Sequence, residues 1–174
     1  TEDEQKKAEE RKAEEAKTQK EEEERKLKEK YEKKFEVHEV DGADQIGKDI
    51  ATDLMWSTDK DEWDTAVDNI NKIDKENVYS VIKAYAAEEG WGTDNILEQI
   101  ATEYGREKEQ QKELINHIIK AVLDYCELYG SNSPSAYKEL EKYKNGITDE
   151  VFNSPEDKLR AVDRLILRVF GIRN

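Results

Sequence analysis

From Ile46 to Phe170 apolar residues return every three or four positions, whereas the first 26 residues hold only isolated alanines. This spacing puts the apolar residues on one face of successive helices and predicts an all-α fold with no strand of useful length. Ile46, Ile50 and Leu54 mark a first helix over about 44–55. Trp63, Ala66, Val67 and Ile70 mark a second, opening after Thr58 as N-cap. Val78, Val81, Ile82, Tyr85 and Ala86 mark a third, starting after Asp74 and stopped by Gly90, with Ile73 and Val78 spaced as a hydrophobic staple. A fourth follows Thr93 with Leu97, Ile100, Ala101 and Tyr104 inward and Gly105 as its stop. The longest runs from about 107 to 129 on Leu114, Ile115, Ile118, Ile119, Val122, Cys126 and Tyr129, with Gly130 as terminator and His117 at the stripe's edge. Beyond it, Ser133-Pro134 opens a helix carrying Tyr137, Leu140 and Tyr143. Thr148-Asp149 opens a short turn through Phe152, and Ser154-Pro155 starts the last helix, with Leu159, Val162, Leu165, Ile166, Val169 and Phe170 inward.

Residues 2–36 form a block of Glu, Lys, Arg and Ala without Gly or Pro, all good helix formers. Glu22–Lys26, Glu24–Lys28 and Glu29–Lys33 are favourable i,i+4 pairs, Glu10–Glu14 a like-charge one. One helix of about 35 residues would reach roughly 50 Å. Leu27, Tyr31 and Phe35 share a face at spacing four, so the last two turns are expected to pack on the domain while the outer part stays solvated. The chain thus divides into a charged helical arm over 1–36 and an all-α domain over 38–174, joined at a break marked by Asp41-Gly42.

The domain repeats itself. Trp56-Ser57-Thr58-Asp59 returns as Trp91-Gly92-Thr93-Asp94, and Ile82-Lys83-Ala84 as Ile119-Lys120-Ala121. An interval of about 35 residues is that of a duplicated helix–turn–helix unit. The two copies cover about 54–88 and 89–125, followed by C-terminal helices over 133–170.

Charge narrows the partners. The net charge is −14, and charged residues are 41% of the chain. Nucleic acid, whose phosphates call for clustered Lys and Arg, is excluded as a partner, and an anionic membrane is disfavoured without a bridging cation. No apolar run approaches the roughly 20 residues of a membrane span, and no signal-peptide pattern opens the chain, so a virion or cytoplasmic location is expected. The chain starts at Thr1, which points to a processed product or a piece of a longer protein. Cys126 is a single cysteine on an apolar stripe and reads as a packed thiol. His38 has no second His or Cys nearby for a metal. No P-loop, dinucleotide fingerprint, H-E-x-x-H, C-x-x-C or nucleophile elbow is present, so no catalytic residue or enzyme activity is assigned. Arg160, Arg164 and Arg168 recur at spacing four and form a candidate partner-binding stripe, together with Leu27, Tyr31 and Phe35 of the arm.

Gly90-Trp91-Gly92-Thr93-Asp94 resembles the G-x-G-T-D loop of the annexin repeat, and Trp63, Ala66, Val67, Val78 and Ile82 fall where annexin repeats place core residues. The resemblance spans roughly residues 44–125 and implies a loop that offers backbone carbonyls to calcium, hence a calcium-dependent phospholipid binder. The sequence departs from that pattern. Met55 and Ser57 stand where the first copy needs glycines, and Leu97 and Asn132 where the two distal acids belong. Ile70 replaces the arginine usual after the second helix, and there are about two units, not four. Calcium takes six to eight oxygens, several from carboxylates, so no metal or other cofactor is expected; if any ion binds, it is calcium at Gly90–Asp94. Degenerate annexin-like repeats also serve as helical modules in bacteriophage virion and tail proteins. The resemblance, the charged arm and the missing chemistry together give the expected role. It is a non-catalytic structural or interaction module, present in many copies among the other protein chains of a large assembly such as a bacteriophage virion.

Overall fold

The computed structural model describes residues 1–55, 58–88 and 95–172, and among these it contains nine α-helices and no strand. The all-α architecture follows the periodicity closely. The helices are α1 (Glu2–Tyr31), α2 (Ala43–Leu54), α3 (Lys60–Asn71), α4 (Val78–Ala87), α5 (Ile96–Thr102), α6 (Lys108–Tyr129), α7 (Pro134–Glu141), α8 (Asp149–Phe152) and α9 (Arg160–Phe170). A single turn of π-helix, Pro155–Leu159, leads into α9. The repeated loops with Trp56, Ser57 and Gly90-Trp91-Gly92-Thr93-Asp94 lie outside the described residues.

Burial of apolar side chains organises the domain around α6. Its 22 residues bury Leu114, Ile115, Ile118, Ile119, Val122, Tyr125 and Cys126. Helices α3, α4, α5, α7 and α9 all pack on it. Each such side chain contributes roughly 1.5–3 kcal/mol. Burial also pushes the Cys126 thiol up to about 12, which leaves it protonated and inert. Helix α2 lies mainly against α4 and α3. The α2–α4 approach is close because Gly47 has no side chain: a Cβ there would stand 2.2 Å from the Val81 carbonyl oxygen.

Several expected helix ends move. The cap of α3 is Asp59, not Thr58; its carboxylate accepts the Glu62 N–H at 2.8 Å in a capping box. Thr58 instead donates its hydroxyl to the Asp53 carbonyl at 2.6 Å. Asp74 holds a turn through the Glu76 and Asn77 amides, both at 2.9 Å, and α4 starts only at Val78 after Asn77. Ser133 and Thr148 cap α7 and α8 as their sequence positions suggest. Tyr104, placed inward by periodicity, is 97% exposed, because α5 ends at Thr102 and Tyr104 falls in the turn before Gly105.

Helix α5 has only seven residues and no side-chain cap of its own. It is far shorter than a helix that stands alone in water. Two buried polar residues from other helices hold its ends. At the N-terminus the Asp163 carboxylate of α9 accepts the Leu97 N–H at 2.9 Å on one oxygen and the Glu98 N–H at 3.1 Å on the other. At the C-terminus the Gln111 amide of α6 donates to the Ile100 and Glu103 carbonyls at 2.8 and 3.1 Å. Burial pushes the Asp163 carboxyl well above its ordinary range, and the two amides pull the other way.

Replacing Gln111 by the isosteric Leu strands the α5 carbonyls and is expected to cost about 1–3 kcal/mol in urea unfolding; an unchanged midpoint would contradict the clamp. Asp163 carries a pH signature. Its folded value lies above its unfolded one, so its contribution is full at low pH and is lost as pH rises through the folded value. The native chain is therefore expected to lose stability relative to Asp163→Asn as pH rises above about 4, the ordinary carboxylate value, and a relative gain there would refute the assignment.

Candidate functional site

Among the expected partner-binding residues, the structure gathers Tyr31 and Phe35 at the root of the arm. Helix α1 ends at Tyr31 rather than running to residue 36, and residues 33–40 continue as an extended strap. The strap follows the C-terminal end of α6, where helix carbonyls lack partners. The Glu36 N–H donates to the Tyr129 carbonyl at 2.7 Å, and the Lys33 ammonium to the Glu127 carbonyl at 3.2 Å. A cation there also complements the negative end of the helix dipole. Gly130 lets the strap pass. It sits at φ +81°, and a Cβ on it would meet the Lys34 and Lys33 carbonyl oxygens at 2.5 and 2.6 Å.

The strap's central anchor is Tyr125. Its ring is fully buried, and its hydroxyl accepts the His38 N–H at 2.7 Å while donating to the Glu36 carbonyl at 2.8 Å. Burial pushes this phenol up to about 12. Aromatic rings carry the attachment inward. Phe35 meets Tyr79 edge-on at 6.1 Å, and Tyr79 and Tyr125 both meet Phe170. Farther along, the His38 ring stacks on Tyr129 at 4.4 Å, with its Nε2 3.0 Å from Glu76, whose carboxylate also accepts the Tyr129 hydroxyl. Val40 N–H completes the strap by donating to Ser80 Oγ at 3.0 Å.

At the last turn of α1 the ring of Tyr31 packs edge-on against Tyr137 of α7, centroids 5.1 Å apart. The ammonium groups of Lys138 and Lys30 lie 5.0 and 5.4 Å from the Tyr31 ring. Lys30 also pairs with Glu141 at 3.0 Å; this carboxylate is only 17% exposed. Burial alone would lower the Lys30 ammonium, yet Glu141 holds it above its ordinary value. Burial and the same carboxylate raise the phenol of Tyr31.

Leu27 does not join this contact. It stays 52% exposed at a groove of about 270 Å³ shared with Glu24, Tyr31, Pro134 and Lys138. The three arginines of α9 differ in the contacts they make within the chain. Arg160 forks onto Glu98 with two bonds of 2.8 Å, Arg168 leans on Ser133 and Ser135 at 3.4 and 3.2 Å, and Arg164 is exposed between them. The candidate calcium loop lies outside the described residues. Among the described residues no group of three or more His, Cys, Asp or Glu is placed to hold a metal ion, and no helix is long and apolar enough to cross a membrane.

Sequence reasoning missed Tyr125, although it falls three positions after Val122 on the α6 stripe and was legible there. Glu141 and Glu76 carry no such signal, being two acids among 43. No family model matches the chain, and no curated protein or solved structure matches it either. What the geometry defines is an all-α domain with a helical arm fastened at its root.

Removing the Tyr125 hydroxyl leaves the Glu36 carbonyl and the His38 amide without partners. Tyr125→Phe is expected to cost about 1–3 kcal/mol and to speed hydrogen exchange at the His38 amide while α6 amides stay protected. Unchanged exchange at His38 would show that the hydroxyl does not hold the strap.

Proposed function

We propose that the chain is a non-catalytic helical interaction module of a larger protein assembly and that α1 is the element that joins it to the other chains. One observation carries this reading. Helix α1 runs for 30 residues and buries none of them, while its root is fastened by an ion pair, an edge-on ring contact and a hydrogen-bonded strap. An arm that gives its own domain so little, yet is held so firmly at one end, is suited to meeting something else. The annexin-like repeat residues and the charged arm together support a multi-copy particle such as a bacteriophage virion as the assembly. The near balance of Lys and Arg against Asp and Glu along the arm favours a protein surface of mixed charge over a polyanion.

Deletion of residues 1–26 tests the proposal. The remaining chain keeps Tyr31, the strap and the core, so its melting temperature is expected to change by no more than about 2 °C. The fraction that cosediments with the native particle is expected to fall several-fold. A truncated chain that unfolds, or that enters the particle as well as the intact one, overturns the role given to α1.

A further inference from the structure

The arm's charge order says how it stands. Opposite charges lie four apart at Glu2–Lys6, Asp3–Lys7, Arg11–Glu15, Lys17–Glu21, Lys20–Glu24 and Glu21–Arg25, and again through the last two turns. Within α1 like charges do so only at Lys7–Arg11, Glu10–Glu14 and Lys26–Lys30. In the structure Arg25 reaches both Glu22 and Glu29, at 3.8 and 2.9 Å, and Lys26 also reaches Glu22 at 3.7 Å. Thr1 and Glu4 close the first turn as a capping box. Before Leu27 the apolar residues are Ala8, Ala13 and Ala16 alone, too few and too small for the seam of a coiled coil. Every side chain from Arg11 to Glu29 is exposed.

These pairs are weak singly and substantial together. Each i,i+4 pair multiplies the statistical weight of the helix by about 1.4 to 2.3. About ten such pairs, less the three like-charge ones, multiply it by roughly 10 to a few hundred, which offsets much of the penalty of about 10⁻³ for starting a helix. Good helix formers then favour its extension, and the clamp of Tyr31 and Lys30 supplies a fixed last turn from which it grows.

We propose that α1 is a self-supporting strut: it keeps its helix in water through its own ion pairs and holds one bearing set by the root, spanning about 45 Å. The strut differs from a tether that folds only on its partner. It rests on the assembly reading only for what it spans to, because rigidity is a property of the free chain.

Distances between spin labels on the free, full-length chain test this. Labels go on Gln5→Cys with Glu24→Cys, and separately on Gln5→Cys with Glu113→Cys; the three side chains replaced in these variants are exposed, and buried Cys126 stays unlabelled. The first pair is expected to give one narrow distribution near 28 Å, the helical rise between these positions being about 1.5 Å per residue. The second is expected to give one narrow distribution as well, reporting the fixed bearing. Reversing the charges of Lys17, Lys20 and Arg25 to Glu is expected to broaden the first distribution several-fold. A broad first distribution in the native charge order, or no broadening on reversal, overturns the self-supporting helix; a broad second distribution overturns the fixed bearing. Failure of the truncation to weaken assembly would leave both distributions as they are, so the two ideas fail separately.

Discussion

A long helix with apolar residues on adjoining faces cannot be covered by one neighbour. Helix α6 buries Leu114, Ile115, Ile118, Ile119, Ala121, Val122, Tyr125 and Cys126, and that requirement decides where most of the chain goes. Helices α3 and α4 cover it from one part of the sequence, α7 and α9 from another, and α5 is folded against its first turns. Leaving two or three of these side chains in water would cost several kcal/mol, which is a large share of the net stability of a domain this size.

Around that core a few buried polar groups remove the freedom that apolar packing leaves. Gln111 and Asp163 come from the helices on either side of α5, and each satisfies one end of it. A short helix that slid or rotated in its slot would lose these bonds at once, whereas apolar contacts would change gradually. Tyr125 does the same for the strap, with its ring in the core and its hydroxyl between the Glu36 carbonyl and the His38 amide. The arm's attachment and the domain's packing therefore share one side chain, which couples the bearing of α1 to the integrity of α6.

The arm obeys a different balance. Helix α1 has nothing to bury before Tyr31 and relies on backbone propensity and charge order. Its helix stops where this balance changes. At Tyr31 a ring contact and the Lys30–Glu141 pair become available, and an extended strap over α6 satisfies more groups than another helical turn would. The arm is thus sensitive to salt and charge, while the domain is sensitive to packing, so the two can vary independently in stability.

Periodicity by itself determined the all-α class, the positions of the core helices and most core residues, because the helical repeat is a local property and burial of one face needs only that repeat. It also located the helix starts at Ser133 and Thr148, whose side chains bond to amides three residues on. It placed the cap one residue early at Thr58, carried the arm's helix five residues too far and turned Tyr104 inward, since each depends on where a neighbouring segment stops and not on spacing. Only the tertiary structure decided that Arg160 belongs to Glu98, that Leu27 stays in water while Tyr31 docks, and that Asp163 and Tyr125 hold backbone groups far away in the chain. Those pairings join residues dozens of positions apart, and among so many interchangeable acids and amides nothing local distinguishes the ones that folding brings together.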